Sequence, residues 1–457
     1  MGAPVNATYI VEDADGTLTA EKVTGTDLIL TPFDYIIWAS GGTVFAQNGK
    51  TGKIETSGGD SATVVQYAID HLALGIGGVV VVHQNIPSST GTIRISKSDV
   101  SLVCFKTTRD ALTPYFRKLL ISVSILPNLG DVLVSGIQFD ECQIDAFSGF
   151  EVDGVVIENC QFNNAGVTDR MGVRFTGGGN LKNILFKFCT VRALADNTWF
   201  VSFEGPSDLT GHIKFDRCQF ENLTGKKNVD SIVYSATGPG HTGAGLVFDS
   251  CSFVHTGGTP TGCTIVHLKG TAANAGPGQL VLNKCHFDVQ QASLDLLVIE
   301  QNSNAFYCSV FVNTPNVSVS AGKTYRWIWN KNASSPDRFV FGSCLTVRRG
   351  RQTGTPNVVW SLGIPNQTPN FKVIIRGFIG FNPQGAMAVT VPPVGTLTYV
   401  NDDGVYEALY IRGSVTGITK NGITLFTSTP ATVDLAPRES VTITWPGAVP
   451  TVVKDLK

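Results

Sequence analysis

The chain has 457 residues, of which 15% are charged, with 49 glycines and a formal net charge of −2. That balance excludes the electrostatic footprint of a nucleic-acid binder, and the length exceeds one ordinary core unless the architecture grows by stacking. No apolar run reaches the ~18 residues of a membrane span, so no membrane insertion is expected, and MGAPVNATYIVEDADG lacks the basic head and apolar core of a secretory signal.

Residues 1–57 have a character of their own. YIVEDADGTLTAEKVTGTDLIL alternates around an Asp-Gly pair, which predicts short strands and a turn. An amphipathic helix is predicted over 60–74, with Asp60 or Ser61 as N-cap and Val64, Val65, Ala68, Ile69 and Leu72 as its apolar stripe. GIGG then ends the helix and VVVV reads as a buried strand. A helix placed there covers the open hydrophobic end of the strands that come after it.

The central part of the chain is a repeat. FDECQI, IENCQF, FKFCTV, FDRCQF, FDSCSF and LNKCHF place Cys142, Cys160, Cys189, Cys218, Cys251 and Cys285 in one local frame. Apolar residues stand five and three places before the cysteine and two after it, as in Ile213, Phe215 and Phe220. The period of two is that of a strand. Phe215 and Cys218 are three apart yet share the inner face, which predicts a two-residue corner between short strands. Another apolar strand lies 11 to 14 residues beyond each cysteine, and Gly-rich segments lead back to the next copy. Each unit is therefore three strands and three turns. The cysteine intervals run from 18 to 34 residues, regular in the strands and irregular in the loops, as a parallel β-solenoid permits. The cysteine is read as a small reduced core residue stacking as a ladder; the competing reading, disulfides, is disfavoured because each rung supplies one sulfur. The seven histidines show no ligand spacing with the cysteines, so no metal and no cofactor is expected.

Asp60, Ala62, Gln66, Ala68, Ile69, Asp70, Gly77 and Gly78, succeeded by the run of strands, resemble the capping segment of the pectate-lyase-like right-handed parallel β-helix superfamily. The resemblance covers about 60 to 330 and implies an all-β fold: a right-handed parallel β-helix, three strands per coil, over 58–390. It is specific for fold and not for activity. Phage and archaeal-virus tail fibres and tailspikes, and archaeal surface proteins, share this look. The segment 1–57 is similar to the N-terminal attachment regions of such fibres, through which they meet other virion proteins; an extra β layer on the helix cap is the other reading.

From about 330 the cysteine phrase stops, and DRFVFGSCLTVRRG and NFKVIIRGFIGF look like final or degenerate coils. Their Arg348, Arg349 and Arg351 are the only local basic cluster and read as a solvated loop. VPPVG reads as a hinge. Residues 391–457 form a strand series with turns at Asp403-Gly404, Asn421-Gly422 and Pro437-Arg438, read as a small β-sandwich. IRGSVTGITKNG and LAPRESVTITW resemble small terminal domains of viral and archaeal structural proteins, which implies a tip, a trimerisation unit or a glycan-binding module.

Candidate chemistry falls at one corner position, two before the cysteine. Asp140, Glu158, Asp216 and Asp249 occupy it, with Lys187 and Asn283 in the other coils, so stacking predicts an alternating column of Glu158, Lys187 and Asp216. Glu158, Asp216 and Asp249 are the catalytic candidates, as paired carboxylates for glycoside hydrolysis. A solvated corner with alternating sign accounts for the same residues. Further candidates lie in loops: Asp169 with Arg170, Asp196, Glu204 with Asp208, and Asp230 with Lys226 and Lys227. Polygalacturonase-like and pectate-lyase-like active-site phrases are absent. Trp199, Tyr234 and Trp327 are the candidate sugar-stacking rings, and Trp327 and Trp329 are placed on one strand face, read as structural first.

These readings converge on a virion-surface or extracellular fibre or spike subunit that attaches to a host surface glycan. The resemblance and the flanking β modules imply a homotrimer. A polysaccharide lyase or glycoside hydrolase on the same fold is the first alternative, and an archaeal or bacterial cell-surface structural protein the second.

Overall fold

The computed structural model describes residues 6–456 apart from 13–17, 25–32, 74–75, 106–113, 124–127, 165–170, 205–211, 224–225, 228, 235–244, 257–261, 271–277, 291, 302–307, 332–342, 355, 363–370, 377, 379–386, 394, 402–406 and 437–438. Its body is a parallel β-solenoid with three strands to the coil, of which Ile184–Lys187, Thr190–Ala193 and Trp199–Phe203 are one set. Each strand pairs in parallel with its counterpart in the next coil. In the first sheet Phe186 stands opposite Phe215, and Phe215 opposite Phe248. In the second, Phe220 pairs with Phe253 and Phe253 with Phe287. In the third, Val201, Ile232, Val266, Leu297 and Ile328 succeed one another.

The in-register inward positions stack identical side chains. The Phe186, Phe215 and Phe248 rings lie parallel at successive 4.7 Å centroid distances, and Phe220 meets Phe253 at 4.7 Å. That spacing is the strand repeat itself, so the core is continuous from Tyr35 to Ile375.

The corner between the first and second sheets turns on one residue. Asn159, Phe188, Arg217, Ser250, Lys284, Thr314 and Arg349 all take left-handed φ between 50° and 55°. This conformation is costly for non-glycine residues. It is offset by backbone bonds to the next coil, such as Phe188 N–H to the Asp216 carbonyl at 3.0 Å and Arg217 N–H to Asp249 at 2.9 Å. The cysteine comes directly after the turn and does more than fill space. The thiol of Cys189 faces the Ile157 carbonyl of the preceding coil at 3.4 Å, Cys218 faces Phe186 at 3.5 Å, Cys251 faces Phe215 at 3.4 Å and Cys285 faces Phe248 at 3.4 Å. A thiol is a weak donor and is small enough to fit this corner. All four are buried and free, and no disulfide forms among the described residues.

Cys142 departs from the repeat that the sequence frame predicts. It sits inside the strand Gln138–Ala146, opposite Leu119 and Val173, and not at a corner. Ile137 holds the ladder position of that coil, its carbonyl accepting from Gln161 N–H at 3.1 Å, and Gly136 makes the left-handed turn. Asp140 therefore leaves the corner column, and its carboxylate instead accepts the Tyr115 hydroxyl at 2.5 Å.

Helix α1 spans Ser61–Asp70, shorter than the predicted 60–74, and Asp60 is its N-cap, accepting from Thr63 N–H at 3.1 Å. Val64, Val65, Ala68, Ile69 and Leu72 are buried against the first coils. Lys97 closes the other end by donating to the Leu72 carbonyl at 2.9 Å. At Gly77, φ 66°, a Cβ would lie 1.9 Å from the Asp99 carbonyl oxygen, so only glycine lets the chain pass into the strand Gly78–His83.

Tyr35–Ser40 pairs with that strand in parallel and starts an antiparallel extension through Thr43–Asn48 and Ile54–Gly58. Asn6–Glu12 and Leu18–Thr24 pair antiparallel; the Asp-Gly turn between them lies outside the described residues.

At the C-terminal end two four-stranded antiparallel sheets enclose a separate core of Leu409, Ile411, Ile418, Val433, Ile443, Trp445 and Val452. Asn421 and Gly422, φ 53° and 77°, form the predicted hairpin turn; the turns at 403–404 and 437–438 lie outside the described residues. Among the described residues no helix is long and apolar enough to cross a membrane.

Candidate functional site

The corner column forms as predicted from Glu158 onward: Glu158, Lys187, Asp216, Asp249 and Asn283 are register partners in turn. Its carboxylates are held by neighbours. Lys214 lies 3.6 Å from Asp216 and 3.2 Å from Asp249, the Arg217 guanidinium donates to Asp216 at 3.0 Å, and Asn283 donates to Asp249 at 2.9 Å. Burial pushes the Asp249 carboxyl up, but the Lys214 and Asn283 hydrogen bonds outweigh it and hold it below the usual carboxylate range. General acid catalysis needs a carboxyl that keeps its proton, which Asp249, held low, does not favour.

The third sheet carries a richer face. Its strands do not alternate strictly: Ser231 and Ile232, Ile265 and Val266, Leu296 and Leu297, and Trp327 and Ile328 are successive residues that are all buried. This bend in every coil resets the period, so the outer face reads Asp230; Thr264, His267 and Lys269; Asp295 and Glu300; Arg326, Trp329 and Lys331. It also separates the two tryptophans placed together from sequence. Trp327 is fully buried against Phe378, whereas Trp329 is half-buried outside beneath Arg326, 4.2 Å from its ring centre. Tyr234 is likewise a core residue, 4% exposed. Of the three candidate rings only Trp199 faces outward, with the Lys269 ammonium 4.8 Å from its centre.

Two polar clusters lie on this face. In the first, His267 bridges three coils: Nδ1 is 2.7 Å from Asp230 and Nε2 is 2.8 Å from Glu300. Lys331 lies 3.0 Å from Glu300 and Lys269 3.7 Å from Asp230. Burial pushes the Asp230 and Glu300 carboxyls up, but His267 at Asp230 and Lys331 with His267 at Glu300 override it and hold both low. Behind this clasp, buried His255 sits 3.4 Å from the Ser231 hydroxyl.

The second cluster sets two carboxyls about Arg174. Glu204 takes two bonds from the Arg174 guanidinium, at 3.0 and 2.7 Å, and one from the Ser202 hydroxyl at 2.9 Å. Asp145 stands opposite Thr176, in the coil before Glu204. Burial pushes the Asp145 carboxyl above the usual range, despite Thr176, Arg174 and Lys118 pulling the other way. The Gly177 backbone passes over it, where a Cβ would fall 2.5 Å from the carboxylate. Asp145 and Glu204 are two coils apart, ~10 Å at the strand spacing.

Of the loop candidates, Asp196 accepts from Lys227 N–H at 2.9 Å and so fixes a turn; Asp169, Arg170 and Asp208 lie outside the described residues. The sequence reading missed Asp145, His267 and Glu300, and set Trp329 on the same face as Trp327. Aligning the third strands coil on coil, rather than the cysteines alone, is the signal that finds them. No group of three or more residues arranged to hold a metal occurs among the described residues.

No protein-family model matches the chain, and no curated protein matches it in sequence. Its fold is that of the parallel β-solenoids, and solved structures with a similar course include phage tailspikes. The Acinetobacter phage vB_ApiP_P1 tailspike protein matches 87% of this chain and 84% of its own at 8% identity and a TM-score of 0.42. The enzymatically active domain of bacteriophage CBA120 tailspike protein 4 matches 100% and 73%, at 14% identity and a TM-score of 0.30. The tailspike gp49 of Acinetobacter baumannii bacteriophage Fri1, a capsular polysaccharide depolymerase, matches 87% and 82%, at 12% and 0.28.

Proposed function

We propose that the chain is a spike or fibre subunit, on a virion tail or a cell surface, that attaches to a surface glycan through the outer face of its third sheet. The observation that carries this is the row of outward indoles, Trp199 and Trp329, each beside a cation and set among hydrogen-bonding carboxylates, on a rigid continuous core. Pyranose rings present apolar faces for indoles and hydroxyls for carboxylates, and a solenoid loses little entropy on binding because its strands are already ordered. In this reading residues 1–57 join other virion or surface proteins, 391–457 form the tip, and three copies associate. The test is binding of purified host surface polysaccharide by the full chain. Trp199→Ala and Trp329→Ala each weaken it while leaving thermal stability within a few degrees; unchanged binding in both variants refutes the assignment of the face.

One observation favours a second reading, glycoside hydrolysis. Asp145, pushed up by burial, keeps its proton more readily than an ordinary carboxyl, as a general acid must, while Glu204 two coils away takes two bonds from the Arg174 guanidinium, and a spacing of ~10 Å suits inversion better than retention. New reducing ends released from the bound polysaccharide, lost in Asp145→Asn, support it; their absence in the unaltered protein leaves attachment alone.

A further inference from the structure

The third sheet begins with Ser89–Ile95, paired on one side with Tyr115–Val123. On the other side helix α1 takes the place of a strand. The Gln66 carboxamide accepts the Arg94 N–H at 2.7 Å and donates to the Arg94 carbonyl at 3.0 Å, as well as to Asp70 at 2.8 Å. One side chain thus satisfies the edge backbone that would otherwise invite strand addition.

Between the helix and these two strands lies a cleft of about 540 Å3, lined by Gln66, Asp70, Thr92, Arg94, Lys118 and Leu120. Register places Thr92 beside Lys118 and Arg94 beside Leu120 on one outward patch, with Asp70 above it. Gln66 is spent on the edge. The Arg94 side chain is exposed and its guanidinium has no partner among the described residues. Lys118 meets Glu141 at 3.5 Å, and Asp70 accepts from Gln66 through one carboxylate oxygen.

We propose that this cleft binds a carboxylate-bearing sugar of an acidic glycan, an inference that rests on the attachment reading and narrows its ligand. The sugar carboxylate pairs with Arg94 and Lys118, ring hydroxyls meet Asp70 and Thr92, and a ring face covers Leu120. A guanidinium and a carboxylate pair in a planar, two-bond geometry that a neutral sugar does not offer. A bare inorganic anion uses none of the hydroxyl acceptors and is repelled by Asp70. The cleft opens on the same outward face as the Trp199 and Trp329 row, and Arg94 belongs to the register column that runs through Leu120, Gln143 and Arg174.

The experiment titrates the full chain with glucuronate, galacturonate and N-acetylneuraminate, with glucose and galactose as neutral counterparts and inorganic phosphate as the bare anion, read by saturation-transfer NMR. At least one acidic sugar is expected to bind, the neutral sugars and phosphate not. Arg94→Ala weakens that binding about tenfold, the loss of one charge-assisted contact, and Arg94→Lys weakens it less. Both variants keep the Gln66 bonds, which involve only the Arg94 backbone. Failure of all three acidic sugars, equal binding by Arg94→Ala, or equally good binding by phosphate overturns the proposal. Binding that depends on Arg94 in a protein that ignores intact host polysaccharide leaves the cleft standing and removes the attachment reading.

Discussion

Replacing His267 by leucine tests whether the clasp across three coils is a real interaction or a solvated coincidence. His267 is 3% exposed in its side chain and Asp230 is 16%, so the variant strands a largely buried carboxylate whose remaining cation, Lys269, is 3.7 Å away. Glu300 is 41% exposed and keeps Lys331 at 3.0 Å, so its share of the loss is small. The expected cost is that of one broken buried pair, about 3 kcal/mol. Asp230→Asn in the His267→Leu background removes the stranded charge, so the double variant costs at least ~1 kcal/mol less than the two single losses together. Urea midpoints measure this, with hydrogen exchange of the amides in 229–234 and 263–270 as the local readout, since stacked coils need not unfold as one unit. Both carboxyls lie below their ordinary range, so the stability they contribute is present above the unfolded value near pH 4 and is lost as pH falls through the lower folded values. A single-variant cost under ~1 kcal/mol, or strict additivity in the double variant, refutes the reasoning.

The core and its cap give three further expected outcomes. Burial lowers the His255 pKa from 6.5 to about 4, so the folded state resists the proton that the unfolded chain accepts; full stability holds above pH 6.5, about 3 kcal/mol is lost as pH falls to 4, and His255→Phe flattens that part of the urea-midpoint profile. The thiols of Cys218, Cys251 and Cys285 are pushed up by burial and by neighbouring thiols, so alkylation and then mass spectrometry finds them unmodified in the native protein and labelled after denaturation. Gln66→Ala removes both bonds to the Arg94 backbone, which costs about 2 kcal/mol and exposes a sheet edge, seen as a lower urea midpoint and as earlier aggregation in light scattering on heating.

The first and second sheets were readable because one residue marks them. Each cysteine is pinned by its preceding left-handed turn and by the carbonyl it faces, so sequence frame and spatial frame coincide, and spacing alone was enough to place the column from Glu158 through Lys187 to Asp216. Cys142 misled because a cysteine also suits a strand interior, where no corner requires it; Asp140 was misplaced with it, and the nearby Asp145 went unremarked. The third sheet hid its chemistry for a different reason. Two inward residues in succession, such as Trp327 and Ile328, break the period of two, and a reading by alternation turned Trp329 to the wrong side. Asp230, His267 and Glu300 come from three coils joined by loops of unequal length, so no fixed spacing signals that they meet.

In the proposed reading, that same bend is what gives the third sheet room for a binding face. The first-sheet corner commits its outward side chains to each other, with Lys214 shared between Asp216 and Asp249, because stacked like charges must be neutralised coil by coil. Second-sheet strands such as Gln219–Asn222 and Ser252–His255 hold only four residues each, which leaves few outward positions per coil. Third-sheet strands reach eight residues, as in Cys263–Gly270 and Leu294–Gln301, and the bend spaces their outward positions three and then two apart, as in Thr264, His267 and Lys269. Those columns face away from the inward ladder; Thr264 and Asp295 are themselves buried, so in the proposed reading the positions open to a ligand are the half-buried ones such as Arg326 and Trp329, which lie apart from the phenylalanine and cysteine stacks that keep the coils in register.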